Sequence, residues 1–465
     1  MAQQQNETPY TVHSSDDSDD DDDDDEKAEL FSPVIAALDK DKLSLLALAV
    51  LQRTSPLASQ PSDVKPSISE PIYGSYHVVF PLTFDNGLRW AVKIPVNGIE
   101  SKWDDLSARA LASEANTMRL LKRDTTIPLP DVLEFSSTTD NSIGCPYILM
   151  TYISGTPLYN VWFGHHLNNI SPDVIRARRV RALEGIASAM EQLDRFTFQT
   201  GGCPVFNDNE KQPTIGPLRR VDHKAILERW FIHHDPSDDP IYVESAAYSD
   251  PKLRYTFMLD RHPEKNPIPQ GLAMLLHQLI SWIPEPQGKD PFVLAHPDFD
   301  IQNFIVSEEG ELLGVIDWDG VAAVPHSFGN RSYPGWLTRD WDPAMYGYKE
   351  SMEDGVEPEG VWEDSPDSLA YYRGIYNAIM ARRDCEINLC RMSLITENLA
   401  IAAENPPQRN PILEKLVGEA WVAAGQEKEL DYLDVARSFS DGEVNGEVMD
   451  KLKKGFHILL SKEGL

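Results

Sequence analysis

The sequence predicts an α+β chain of two unequal lobes, a small β-rich one followed by a large α-helical one. Three observations carry that expectation. Between Ile72 and Ile153, short apolar runs bounded by turn residues prevail over helical spacing. After Gly155 the apolar residues recur at helical spacing instead. Inside that helical region one short apolar strand pair reappears, near residues 291–317, and the polar residues with chemical potential collect there.

The chain opens on a polar, then acidic segment, with an unbroken Asp run ending at Asp25. Like charges at this density repel, and no apolar residue offsets the entropy of ordering, so residues 1–28 are expected to be a disordered tail. Ser14, Ser15 and Ser18 stand just ahead of acids, as substrates of an acid-directed kinase do. The tail is therefore a candidate for a protein partner, and a solvated tail with no specific role is the other reading. Residues 29–66 form a helical extension and linker: Leu30, Phe31, Val34, Ile35 and Leu38 keep helical spacing, and Pro56, Pro61 and Pro66 end it.

Residues 67–153 make the small lobe. His77 to Phe84 and Leu88 to Ile94 are apolar strands joined by Asp85-Asn86-Gly87, a strong hairpin signal. Trp103 to Lys122 spaces Leu106, Ala110, Leu111, Ala115, Met118 and Leu121 as a helix does. Two further strands follow, Val132 to Phe135 and Cys145 to Ile153, before Ser154-Gly155-Thr156-Pro157 breaks the pattern. Residues 154–465 make the large lobe. Helices are expected over Asp173 to Phe196, after Ser171-Pro172, over Pro269 to Ile283, Pro366 to Leu399, Pro411 to Ala424, and Glu447 to Ser461.

The formal charge is −32. Ten of the acids lie between Asp16 and Glu26, and about −22 remains without them. Such a chain is not expected to bind nucleic acid or an anionic membrane surface. Cys145, Cys203, Cys385 and Cys390 are scattered, which fits a reducing, cytoplasmic setting better than a disulfide framework or zinc site. The N-terminus has no apolar core of a secretory signal, and no apolar run is long enough for a membrane span.

The chemistry concentrates in Leu294-Ala-His296-Pro-Asp298-Phe-Asp300-Ile-Gln-Asn303 and in Gly314-Val-Ile-Asp317-Trp-Asp319. The strands Phe304-Ile-Val306 and Leu312 to Ile316 turn at Glu309-Gly310. Such a hairpin brings Asp298, Asn303 and Asp317 to its open end. Two carboxylates and an amide oxygen suit Mg²⁺, a hard cation that prefers oxygen ligands and phosphate. A carboxylate left free of metal can orient or deprotonate a hydroxyl.

These residues resemble the aminoglycoside phosphotransferase and choline kinase-like family, within the protein-kinase-like superfamily, and its fungal members in particular. The resemblance spans about residues 70–345 and implies a bilobal protein-kinase-like fold. It makes Asp298 the catalytic base and Asn303 and Asp317 the Mg²⁺ ligands. Lys93, in Trp90-Ala-Val-Lys93-Ile94, matches the lysine that pairs with the α/β-phosphates of ATP or GTP. Glu114 sits on the following helix, where the family's partner glutamate sits. Pro146 to Gly155, with Met150 and Tyr152, resembles the hinge that receives the base ring.

The departures narrow the expectation. No Gly-x-Gly-x-x-Gly is present, and only Gly74-Ser75-Tyr76 stands where the phosphate loop belongs. Trp318 replaces Phe-Gly, and no Ala-Pro-Glu follows. A protein-kinase activation segment is thus missing, and the expected acceptor is the hydroxyl of a small molecule. Asp340, Asp342, Glu350, Glu353, Asp364 and their neighbours, with Trp336, Trp341 and Trp362, are either a wall for a cationic amino sugar or amino alcohol, or a plain acidic surface. His296 is read as a hydrogen-bonder that holds the loop, Asp300 as a cap or a substrate contact, and Asp319 as a metal-site brace or a turn cap. The function expected is a small-molecule kinase. The alternative is a pseudokinase, a nucleotide-binding or scaffold protein with little turnover, which the thin phosphate loop and acidic tail favour slightly and the complete Asp298-Asn303-Asp317 set disfavours, because a scaffold needs no metal ligands.

Overall fold

A computed structural model describes residues 28–54, 65–207, 212–235, 237, 239–284, 290–383 and 387–461. The expected tail, its serines, most of the linker and Cys385 lie outside the described residues. The small lobe is an antiparallel sheet in the order β1 (Ser67–Ile68), β3 (His77–Thr83), β4 (Arg89–Pro95), β6 (Tyr147–Thr151), β5 (Val132–Ser136), with β2 (Ile72–Tyr73) also on β3. The β3–β4 turn places Gly87 at φ +82°, a left-handed value glycine accepts without cost, and Asn86 Oδ1 accepts from Leu88 N at 3.0 Å.

Both faces of this sheet are covered, so β3 and β4 read as continuous apolar runs. Successive side chains of a strand point to opposite faces. Val78, Phe80 and Leu82 of β3, with Trp90, Val92 and Ile94 of β4, pack on the helical extension through Phe31, Val34, Leu43 and Ala47. That extension is α1 (residues 28–37) and α2 (Lys40–Thr54). Val79 and Ala91 face the other way, toward α3 (Asp105–Asp124), which buries Leu111, Ala115, Met118 and Leu121. Asp104 caps α3 by accepting from Ser107 N at 2.7 Å. Lys93 shares the face of Ala91, and the pleat therefore aims it at α3.

The large lobe is mostly helical, as the sequence indicates. The helix Pro172–Met190 passes into a 3₁₀ turn, Glu191–Arg195, short of the expected Phe196. Pro172 occupies the first turn, although Ser171 makes no side-chain cap bond. The single helix expected from Pro366 to Leu399 is two, Pro366–Arg382 and Ile387–Glu404, because Arg383 closes the first with non-helical backbone. Pro411 lies inside the helix Pro406–Ala423 instead of starting it. Residues 197–262 hold elements absent from the sequence expectation: the hairpin Leu218–Val221 with Tyr242–Ser245, and the helices His223–Phe231 and Leu253–Arg261. The helix Pro267–Ser281 packs on Tyr432–Asp441 so closely that a Cβ on Gly271 would stand 2.0 Å from Ala436 O. Among the described residues, no helix is long and apolar enough to cross a membrane.

Candidate active site

Lys93 meets two carboxylates from distant parts of the chain. Its Nζ lies 2.7 Å from Glu114 Oε1 on α3 and 2.6 Å from Asp317 Oδ1. Lys93 is 6% exposed and Glu114 3%. Burial by itself would lower the lysine pKa, but Asp317 and Glu114 outweigh it and keep the ammonium above its ordinary value. The surroundings would likewise raise the Asp317 carboxyl, yet the Lys93 charge holds it below the usual carboxylate range. Glu114 goes the other way: burial pushes it up to about 7 against the pull of Lys93.

The catalytic-loop candidate begins where the buried strand Phe292–Ala295, paired with Ala322–Pro325, delivers His296. His296 Nε2 lies 2.9 Å from Ile316 O, and its Nδ1 accepts from Asp298 N at 3.3 Å. That pattern sets Nε2 as the donor and Nδ1 as the acceptor, and burial holds the ring pKa down. So His296 is a neutral strut between the Asp298 loop and the strand leading to Asp317. Asp300 accepts from Ile301 N at 2.7 Å, capping the 3₁₀ turn Ile301–Asn303, and pairs with Arg339 Nη2 at 2.6 Å.

Asp298 stands exposed at the loop tip. Its Oδ2 accepts from Asn303 Nδ2 at 2.9 Å and from Gln302 Nε2 at 2.8 Å. Asn303, buried, also donates to Asp298 O at 2.8 Å. With its amide nitrogen committed twice, the oxygen is the atom that Asn303 could offer to a cation. The hairpin Phe304–Val306 with Leu312–Val315 turns through Gly310 at φ +82° and brings Ile316 N to Asn303 O at 3.0 Å. The next residue, Asp317, sits at φ +59°, a left-handed value that costs a non-glycine residue about 1 kcal/mol or more. Trp318, fully buried, holds it there: its Nε1 donates to Val315 O at 3.2 Å, and its ring meets His296 edge-on at 4.6 Å. The tryptophan that departs from the kinase pattern is thus the anchor of the Asp317 turn.

Gly74 and Ser75 form an exposed loop, closed by Gly74 N donating to His77 O at 2.9 Å. Met150 is buried in β6, and Tyr152 follows it with the Arg89 guanidinium 3.8 Å above its ring. Tyr152 N donates to Arg89 O at 3.1 Å, so that N–H is committed within the lobe. Gly155 ends the crossing between lobes, where a Cβ would stand 2.6 Å from Ile305 Cγ2. Asp319 neither caps the next turn nor reaches Lys93 directly in this structure. It faces His77 Nε2 at 3.8 Å and Arg219 Nη1 at 3.6 Å.

The acidic segment is divided: some of its acids are buried in internal contacts that neither sequence reading expected, and the rest are surface. Asp340 is buried and takes two bonds from Arg373, at 2.7 and 3.1 Å. Asp364 is buried, accepting from Trp162 Nε1 at 2.6 Å and Arg179 Nη1 at 2.9 Å. Asp342 is buried beside Gln408, and Trp336, Trp341 and Trp362 are core residues. Glu350, Glu353, Asp354, Glu357 and Glu359 are exposed. Sequence reasoning missed Arg219 and His77, which approach the site from the Leu218–Val221 strand and from β3.

A family model described as "Phosphotransferase enzyme family" matches residues 78–323. A subtelomeric hrmA-associated cluster protein of Aspergillus fumigatus is 23% identical over 358 residues, which cover 65% of this chain and 66% of that one. This chain therefore spans just under two thirds of the length of that curated relative. Altered inheritance of mitochondria protein 9 of Candida tropicalis is 28% identical over 161 residues, 34% of this chain and 25% of the relative. A solved Ralstonia eutropha chain named as an aminoglycoside phosphotransferase is 16% identical, with TM-score 0.43, over 91% of this chain and 98% of that one.

Proposed function

The chain belongs to the phosphotransferase enzyme family, and from that premise we propose that it moves the γ-phosphoryl group of ATP or GTP to a hydroxyl of a small molecule. The observation that carries this reading is the Lys93 cluster. A strand lysine, a helix glutamate and Asp317 meet within hydrogen-bonding distance although they are far apart in sequence, and His296 ties the strand before Asp317 to the exposed loop of Asp298.

In this reading Asp298 receives the proton of the acceptor hydroxyl as its oxygen attacks the γ-phosphorus and the bond to the β-phosphate oxygen breaks. Asn303 and Gln302 fix the Asp298 carboxylate so that one oxygen stays free for that proton. Asn303 Oδ1 and the Asp317 carboxylate would hold Mg²⁺, which neutralises phosphate charge when bound. Lys93 braces the α/β-phosphates, and Glu114 aligns it. Gly74 and Ser75 border the phosphates, while Met150 and Tyr152 border the base. Positioning and charge neutralisation supply most of the rate.

The acceptor is taken to be an amino sugar or amino alcohol. Neither nucleic acid nor a membrane is among the partners proposed, and the acidic residues 16–26 are left for a protein partner. A cytoplasmic setting is part of the same reading, supported by the thiols of Cys145 and Cys203, neither of which is in a disulfide.

The test is an acceptor screen with MgATP and MgGTP against amino sugars, choline, ethanolamine and neutral sugars, read by nucleoside diphosphate release. With the acceptor found, Asp298→Asn should lower kcat by about 10²–10⁴ and leave nucleotide binding intact. Tight nucleotide binding with no turnover on any acceptor would favour a nucleotide-binding scaffold instead.

A further inference from the structure

Transfer of a phosphoryl group needs donors around the terminal phosphate, and the loop Gly74 to Tyr76 is poor in them. A hairpin of the large lobe brings another donor to the same place. Arg219 lies on the strand Leu218–Val221, whose burial alternates: Leu218 and Arg220 point inward and Arg219 points to the other face. That face looks onto the Lys93 cluster. Arg219 lines one small cavity with Tyr76, His77, Glu114, Tyr242 and Asp319.

The guanidinium is held but not satisfied. It lies 3.5 Å from the centroid of the Tyr242 ring, and Tyr242 meets Tyr76 of the phosphate-loop region at 6.4 Å. Its Nη1 stands 3.6 Å from Asp319, beyond hydrogen-bond range, and its Nε has no hydrogen-bond partner among the described residues. The side chain is only 12% exposed. A mostly covered guanidinium with an open N–H group is costly unless something takes it, and its fork matches phosphate oxygens. A second divalent cation fits less well. His77, Glu114 and Asp319 do place ligand atoms within 4.8 Å of one another, but the permanent charge of Arg219 sits against Asp319.

We propose that Arg219 is a phosphate-binding residue, whose open N–H edge takes an oxygen of the terminal phosphate of the bound nucleoside triphosphate. It does from the large lobe what a glycine-rich loop does from the small one. The inference rests on the phosphotransferase reading above. The competing role is a brace that ties the hairpin to Asp319.

Calorimetry separates the two, using MgADP and the non-hydrolysable imido analogue of MgATP, with the guanine pair where GTP is the donor. Arg219→Ala should weaken the triphosphate analogue about tenfold to a hundredfold, the range for a charged hydrogen bond, and leave the diphosphate unchanged. Arg219→Lys should recover part of the loss, since it keeps the charge without the fork. Equal loss for both nucleotides, or no loss for the triphosphate, overturns the assignment. Should Arg219→Ala not fold, Arg219→Lys decides, and a triphosphate preference equal to the wild type overturns it. If the wild type binds neither nucleotide, the phosphotransferase reading falls and this inference with it. If the wild type binds the triphosphate and Asp298→Asn stops turnover while Arg219→Ala binds as the wild type does, only the role of Arg219 falls.

Discussion

Lys93→Met removes the charge of the cluster and keeps most of the side-chain volume, and its cost should depend on pH in a defined direction. The lysine pairs with Glu114 at 2.7 Å and Asp317 at 2.6 Å. Asp317 has a half-exposed side chain, so losing that contact should cost about 1 kcal/mol or less. Glu114 is 3% exposed, and a carboxylate stranded there costs about 3–5 kcal/mol. Glu114 can avoid that cost by keeping a proton. Burial raises its carboxyl to about 7 with the lysine present, and removing the lysine charge raises it further. A carboxyl whose folded pKa exceeds its unfolded value contributes stability fully below the unfolded pKa and loses it as pH rises through the folded one. Below about pH 7 both proteins carry the proton, and their stabilities fall with pH in parallel. Above it the wild type ionises and levels off, while the variant keeps losing up to about 1.4 kcal/mol per pH unit. Urea unfolding followed by circular dichroism at about pH 6 and about pH 8.5 should therefore show a small gap widening by about 2 kcal/mol. Adding Glu114→Gln to Lys93→Met should abolish the widening. A gap equal at both pH values, or larger at the lower one, would refute the burial argument for Glu114.

The remaining predictions follow from single contacts. Asp317→Asn keeps a residue that tolerates left-handed backbone but discards the charge. Nucleotide affinity in Mg²⁺ should fall at least about tenfold by calorimetry, and an unchanged Mg²⁺ dependence would remove Asp317 from the ligand set. Gly155→Ala forces a methyl to 2.6 Å from Ile305 Cγ2 and 2.8 Å from Val306 O, and should cost about 1–3 kcal/mol in urea unfolding; a neutral result would mean that the crossing between lobes yields. Arg373→Met strands the buried Asp340 and should cost about 3–5 kcal/mol, most of it recovered in Arg373→Met/Asp340→Leu. Failure of the double variant to recover would mean that Arg373 is needed for its bond to Leu337 O more than for its charge.

What could be read from the sequence was local, and what could not was paired across the fold. Lys93 is legible because Trp90-Ala-Val-Lys93-Ile94 matches the strand lysine of the resembled family, while its burial shows only in the structure. Asp298, Asn303 and Asp317 are legible because one hairpin carries them, so their spacing already implies their meeting. Trp318 looks like damage to the motif in sequence, and only its bond to Val315 O and its contact with His296 show it to be support. The acidic segment misleads for the opposite reason. A run of acids reads as surface when the partners are not visible, and Arg373 and Arg179 stand far away in sequence from Asp340 and Asp364.

Arg219 shows the same limit at the site itself. Its strand is four residues long, and neither Asp319, Tyr242 nor His77 is a sequence neighbour. An arginine in such a stretch carries no periodic or motif signal. Only the register Arg219↔Glu244 and the alternation of that short hairpin decide which face it takes. A shift of one residue would turn Arg220 toward the cluster and Arg219 toward Glu404, where Arg220 now bonds at 2.9 Å. The pairing of Arg220 with Glu404 therefore holds the register that points Arg219 at Asp319. Losing Glu404 should disturb the placement of Arg219 beside Asp319 without any direct contact to it.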